Sequence, residues 1–307
     1  MDIFCNNRYV TFKGHILSKF TSSSLNFNFK FLILNFISQT SYFKLLISYL
    51  KLLISNLISQ TSYLKLHNSN LKMFHFKQFS INDDQSAMKV GTDAVLLGAW
   101  CPIDNNPKSI LDIGTGTGII ALMLAQRTNA DQIDALDIDE KAFEQATDNF
   151  ENSIFADRLY CYHAGLDEFV DDPEDEYDVI VCNPPFYSED FKTNDASRDL
   201  ARFQDAMPFE DLIEAADLLL SEDGIFAVII PYKEEENFID LVADFELYPI
   251  KVTRVRGSFT SPIVRSLIAF KRFEMPVLIA DEIVIEINRH EYTNEYIELT
   301  KEFYLKM

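Results

Sequence analysis

Hydrophobic and polar positions change texture along the chain at about residue 109. Beyond it, short apolar runs alternate with segments whose apolar residues recur at helical spacing, the pattern of strands interleaved with helices. Residues 109–113, 133–137, 159–163, 177–182 and 224–230 read as strands. Residues 117–127, 140–150 and 209–220 read as amphipathic helices between them. Strands separated by helices must cross over to pair, so they run parallel and the helices cover both faces. Residues 252–255 and 263–270, joined by a turn at 257–262, predict a closing hairpin. The expected fold is α/β: a doubly wound, mostly parallel seven-stranded sheet with an antiparallel closing hairpin. The tail predicts a further strand at 276–286 and an acidic helix at 290–305.

The first 72 residues follow a different rule. Residues 36–70 repeat every seven as FISQTSY, FKLLISY, LKLLISN, LISQTSY and LKLHNSN. A coiled coil needs apolar a and d positions flanked by charged e and g positions. Here the flanks are Ser, Thr, Asn and Tyr, and no acid occurs from Ile3 to Asn82. Such a biased segment does not build a packed core. The expectation is that 1–72 is disordered or translated from repetitive A/T-rich sequence upstream of the true start, with Met73 opening the domain 73–307. The alternative is a basic amphipathic appendage that touches RNA or a membrane surface.

Charge sharpens the division. Residues 1–72 carry eight basic side chains and one acid, whereas 73–307 carry 19 basic and 47 acidic ones. A body that acidic argues against non-specific nucleic-acid binding, so a nucleic-acid partner has to meet a local surface. Cys5, Cys101, Cys161 and Cys182 show no zinc or redox spacing, and the five histidines are scattered, so no metal is expected. The start lacks the order of a secretory signal, and its longest uncharged run is too short and polar to span a bilayer. A reduced, cytoplasmic setting without membrane attachment is expected.

Candidate chemistry sits at strand ends. The run 178–182 ends in Asn183-Pro184-Pro185-Phe186. The prolines stiffen the backbone directly after the strand. The Asn183 amide oxygen and the Pro184 carbonyl can both accept from one amino group, and Phe186 offers a stacking face. Together they suit a planar amine. The strand at 109–113 runs into Asp112-Ile113-Gly114-Thr115-Gly116-Thr117-Gly118, where glycines permit a tight turn and close ligand approach at a helix start. A dinucleotide site wants G-x-G-x-x-G, which this is not. An acid before the glycines repels pyrophosphate but accepts from a cation, and S-adenosylmethionine carries a sulfonium and an ammonium. Asp137 closes the next strand, placed to accept ribose hydroxyls, with Asp139 as the cap of the following helix. Asp167 is placed to meet adenine, or is an ordinary loop acid. Thr92 is a helix cap near the cofactor's carboxylate, or a bare N-cap.

The order Lys89-Val90-Gly91-Thr92-Asp93, the glycine loop, Leu136-Asp137-Ile138-Asp139 and Asn183-Pro184-Pro185-Phe186 resembles class I S-adenosylmethionine-dependent methyltransferases acting on amino groups. More narrowly, it is similar to the tRNA1(Val) (adenine(37)-N6)-methyltransferase family, with Tyr187, Ser188, Arg198 and Ala201-Arg202 extending the likeness. The resemblance covers residues 74–307 and none of 1–72. It implies S-adenosyl-L-methionine as cofactor, the tRNA anticodon stem-loop as partner, and N6-methylation of an adenine. Asn183, Pro184 and Phe186 would be catalytic, and Thr92, Asp112, Gly114, Gly116, Asp137 and Asp167 would bind cofactor. One departure is the aromatic pair: Phe-Tyr here, where Tyr-Phe is common in the family and Phe-first also occurs in guanine-N2 methyltransferases. Three alternatives follow: a glutamine N5-methyltransferase acting on protein, an rRNA guanine-N2 methyltransferase, or a silent RNA-binding assembly factor on this fold. Lys77, Arg198, Arg202, Lys251, Arg254, Arg256 and Arg265 are the expected RNA-facing cations.

Overall fold

The computed structural model describes residues 73–85, 89–170, 176–185, 207–276 and 278–307. The repeats at 36–70, Phe186, Arg198 and Arg202 lie outside the described residues. The chain divides into two compact units, Met1–Asn70 and Leu71–Met307, and the described residues all belong to the second.

A small hairpin, β1 (Phe74–His75) and β2 (Ser80–Ile81), leads to α1 (Thr92–Trp100). Then follow β3 (Ser109–Ile113), α2 (Ile119–Arg127), β4 (Gln132–Asp137), α3 (Glu140–Glu151), β5 (Leu159–His163) and α4 (Leu166–Val170). The second half comprises β6 (Tyr177–Cys182), α5 (Phe209–Leu219), β7 (Leu220–Pro231), α6 (Glu235–Ala243), β8 (Tyr248–Ser258) and β9 (Ile263–Lys271). The tail holds β10 (Ile279–Asn288), β11 (Glu291–Tyr292) and α7 (Asn294–Thr300).

The main sheet runs β11-β10-β8-β9-β7-β6-β3-β4-β5. From β5 to β7 all pairs are parallel, and β9 is antiparallel to both β7 and β8. These are the seven expected strands. Two from the tail extend the sheet, β10 pairing parallel with β8 and β11 turning back on β10. The tail helix is shorter than its periodicity predicts. Glu291 and Tyr292 are taken by pairing with β10, and Thr293 caps α7 by accepting from the Tyr296 N–H at 3.2 Å.

Strand alternation explains the two cores. Ile110, Val179, Val181, Ile225, Ala227, Ile229, Leu267 and Ala269 face one layer with α1 and α2. Leu111, Ile113, Ile180, Cys182, Phe226, Val228, Ile230, Ile268 and Phe270 face the other with α5 and α6. Side chains on a strand point alternately to opposite faces, so strands covered on both sides read as continuous apolar runs. Each fully buried Ile, Leu, Val or Phe contributes roughly 1.5–3 kcal/mol. The same alternation buries two acids. Asp112 shares the face of Ile110, and Asp134 is completed by the Tyr177 hydroxyl at 2.7 Å.

Candidate active site

The strand register decides what stands beside what. Ile113 lies level with Leu136 on one side and Cys182 on the other, and Asp137 lies level with His163. Gly114, Asp137, Ala164 and Asn183 therefore leave the carboxyl edge of the sheet next to one another. Neighbouring strands are about 4.8 Å apart, so β6 to β5 spans about 14 Å along this edge. Strand order reverses at β3, the place where open α/β sheets form their ligand crevice.

The glycine loop is built from backbone. The N–H groups of Gly114 and Thr115 both donate to the Leu136 carbonyl, at 2.9 and 3.0 Å, and the Gly116 N–H donates to Asp137 Oδ2 at 2.8 Å. Gly114, Gly116 and Gly118 adopt φ of 68°, 59° and 79°, a region that disfavours side chains. Their surroundings differ. A Cβ on Gly118 would meet the Phe150 ring at 2.4 Å, whereas Gly114 and Gly116 face open space. Gly118 serves packing, and the other two leave bare backbone facing the crevice.

Asp112 lies beneath this loop with no exposed surface. Its Oδ2 accepts from the Thr115 hydroxyl at 2.7 Å and the Ala121 N–H at 3.2 Å, while its buried Oδ1 has no partner. Burial pushes its pKa to about 7, although those two hydrogen bonds oppose the rise. The acid expected to meet a ligand openly is thus a dry carboxyl under the loop. Asp137 is half-buried, and its Oδ1 accepts from the Asp139 N–H at 2.9 Å. Asp139 caps α3 by accepting from the Ala142 N–H at 2.8 Å, as expected. Asp167 is exposed on the first turn of α4, its Oδ1 lying against Gly165.

Thr92 differs from expectation. Gly91, extended at φ −114°, is the N-cap of α1, and Thr92 is the first helical residue with its side chain exposed. A β-region glycine serves as N-cap when no side chain is needed, so Thr92 stands in the first turn of the helix rather than at its cap. Asp93 in the same turn pairs with Arg265 at 2.8 Å.

Asn183 is half-buried, Pro184 is buried and Pro185 is exposed directly after β6; Phe186 lies outside the described residues. Burial pushes the neighbouring Cys182 thiol well up, so it stays protonated and acts as a small apolar group.

Two residues that sequence reading passed over brace the crevice. Asn149 Nδ2 donates to the Thr117 carbonyl at 2.8 Å and the Asn82 carbonyl at 2.9 Å, and its Oδ1 accepts from the Asn82 N–H. Gln145 Oε1 accepts from the Gln85 N–H at 3.0 Å. The signal was present: both are polar and four residues apart on the stripe of α3 that otherwise holds Ala142, Ala146 and Phe150.

The expected RNA-facing cations are largely engaged within the protein. Arg254 makes a two-pronged pair with Glu235, the closest contact 2.6 Å, and lies over the Tyr232 ring at 5.6 Å. Burial raises the Glu235 pKa, but Arg254 and the Ser266 hydroxyl outweigh it and hold the carboxyl below its usual range. Arg256 pairs with Glu282 at 2.8 Å, Lys251 lies over Trp100 at 4.6 Å, and Lys77 donates to the Lys301 carbonyl at 2.6 Å. Among the described residues no group of acids, histidines and cysteines is arranged for a metal, and no helix is long and apolar enough to cross a membrane.

Residues 90–246 match the model of the methyltransferase small domain. A tRNA1(Val) (adenine(37)-N6)-methyltransferase from Flavobacterium johnsoniae is 71% identical over 235 residues, 76% of this chain and 100% of that protein. The protein of that name from Christiangramia forsetii is 56% identical over 236 residues, 76% of this chain and 98% of its own length. Among solved structures, a predicted O-methyltransferase from Agrobacterium tumefaciens aligns with a TM-score of 0.54 at 18% identity, covering 69% of this chain and 96% of that one. At that identity the likeness concerns the fold alone.

Proposed function

The chain belongs to the tRNA1(Val) (adenine(37)-N6)-methyltransferase family, and from that premise we propose that it methylates N6 of adenine 37 in the anticodon loop of that tRNA, using S-adenosylmethionine, in the cytoplasm. One observation carries the reading: the register that brings the open glycine loop, Asp137 and Asn183 out of the sheet side by side.

The crevice fits the cofactor. Two left-handed glycines present bare backbone to open space, and a buried carboxyl beneath them keeps an unpartnered oxygen. Gly114 and Gly116 would line the cofactor, with Asp112 holding the loop from below through Thr115 and Ala121. Asp137 would accept from ribose hydroxyls, Asp167 would meet the adenine, and the Thr92 amide at the start of α1 would favour the carboxylate. S-adenosylmethionine, when bound, supplies a methyl group activated by its positively charged sulfur.

The work on the target base falls to the corner after β6. The exocyclic amine of adenine is a poor nucleophile because its lone pair is delocalised into the ring. Accepting hydrogen bonds from its two protons, the Asn183 amide oxygen and the Pro184 carbonyl favour a pyramidal nitrogen with its lone pair directed outward. Positioning of this kind supplies much of the rate. Asn183 is no base; the amine becomes acidic on methylation and releases its proton afterwards. Phe186 would stack on the ring, and a loop base is presented at lower cost than a paired one.

Incubation with labelled S-adenosylmethionine and tRNA, followed by nucleoside analysis, should recover label as N6-methyladenosine. Recovery as N2-methylguanosine, or in protein, would overturn the reading. Asn183→Ala should lower kcat by about 100-fold or more, the scale for losing one preorganised hydrogen-bonding group, with cofactor affinity retained. An unchanged rate would remove Asn183 from the mechanism.

A further inference from the structure

At the carboxyl edge the antiparallel side of the sheet stands higher than the parallel side. β6 stops at Cys182, whereas β7 reaches Pro231 and the β8–β9 hairpin reaches Ser258 and Ile263. Cys182 is level with Val228, Val228 with Ile268, and Ile268 with Val252. At about 3.3 Å per residue the hairpin therefore rises roughly 16–20 Å above the level of Cys182. Two to three strand spacings of about 4.8 Å put this wall roughly 10–14 Å to the side of β6 and Asn183.

The crown of the wall is a braced turn. The Ser261 N–H donates to the Ser258 carbonyl at 3.0 Å, the two serine Oγ atoms lie 2.7 Å apart, and Arg256 Nη1 donates to the Ser261 carbonyl at 3.2 Å. This turn holds Phe259 64% exposed, while Val264 and Tyr232 on the same edge are 43% and 40% exposed. The wall's arginines offer little net charge, since Arg254, Arg256 and Arg265 pair with Glu235, Glu282 and Asp93. What the wall offers is apolar and aromatic surface on an otherwise acidic body. An unpaired nucleobase suits it, because every base has a π-face and stacking tolerates any sequence.

We propose that Phe259 is an RNA-binding residue that stacks on an unpaired base of the anticodon loop, across the loop from the base held at Asn183. This rests on the tRNA-methylating activity proposed above. The test compares the full-length parent, Phe259→Ala and Phe259→Trp for tRNA affinity, the KM for tRNA, the salt dependence of binding, and S-adenosylmethionine affinity. Phe259→Ala should weaken tRNA binding by about tenfold or more and raise KM to match, whereas Phe259→Trp should bind as the parent does. The slope of affinity against salt should stay the same, because stacking releases no counterions. Cofactor affinity should not change, which also reports an intact fold. If Phe259→Ala keeps the parent's KM, or if its loss comes with a shallower salt slope, the stacking role is wrong. A parent that methylates no tRNA would instead refute the activity on which it rests.

Discussion

Replacing Asp112 by Asn tests the physical account of the glycine loop. The carboxyl is fully buried, one oxygen has no partner, and its pKa is raised from an ordinary 3.8 to about 7. The folded state therefore keeps its proton up to about pH 7, while the unfolded chain releases it near 3.8. Stability from this group is complete below pH 3.8, falls as pH rises through that window, and is level above it. At 1.36 kcal/mol per pKa unit, the charged form costs the folded state roughly 4 kcal/mol at pH 8. Asparagine removes that cost but sets an unpaired NH2 where Oδ1 lies, at about 1–3 kcal/mol. Asp112→Asn should accordingly be less stable than the parent at pH 3.5 and as stable or more stable at pH 8. Urea unfolding of both proteins at the two pH values reads this directly, since other titrating groups are common to both. A variant destabilised by the same amount at both pH values would show that the carboxyl ionises as readily in the folded protein as in the unfolded chain, and would refute the reasoning. At pH 8, where the parent's carboxyl is charged, the variant should also bind S-adenosylmethionine more weakly, because that charge below the loop is lost.

Asp137→Ala should lower cofactor affinity by about 10- to 100-fold, the scale of a charge-assisted hydrogen bond, measured by calorimetry. It also releases the amides of Gly116 and Asp139, so normal affinity would show that neither contact matters. Phe238 is fully buried among Phe209, Phe226 and Phe270, with ring centroids 4.9–6.4 Å away. Phe238→Ala should cost about 3–5 kcal/mol in denaturant unfolding, and a cost below 1 kcal/mol would mean the cluster collapses around the gap. Deleting residues 1–72 should leave folding and methylation intact; the Flavobacterium johnsoniae relative aligns over 235 residues along its full length, the number in 73–307. Loss of activity on truncation would give the repeats a role.

The sequence by itself determined the type and sequence position of most elements. β3, β5 and β6 have the expected bounds, because strand and helix periodicities are local properties of a few consecutive residues. It also determined which chemistry sits at which strand end, since the glycine loop, Asp137 and Asn183 each follow an apolar run directly. Tertiary structure alone decided the neighbours. Asp112 reads as a ligand-facing acid until α2 is laid over its face of the sheet, after which it is a dry group that resists ionisation. The cations of β8 and β9 read as an RNA rim until Glu235, Glu282 and Asp93 meet them from elsewhere in the chain. The tail strand joined β8 in parallel, and the turn back of Glu291 and Tyr292 on it made the last helix begin later than its pattern suggested. In each case burial and pairing depend on elements far apart in sequence, whose meeting no local pattern records.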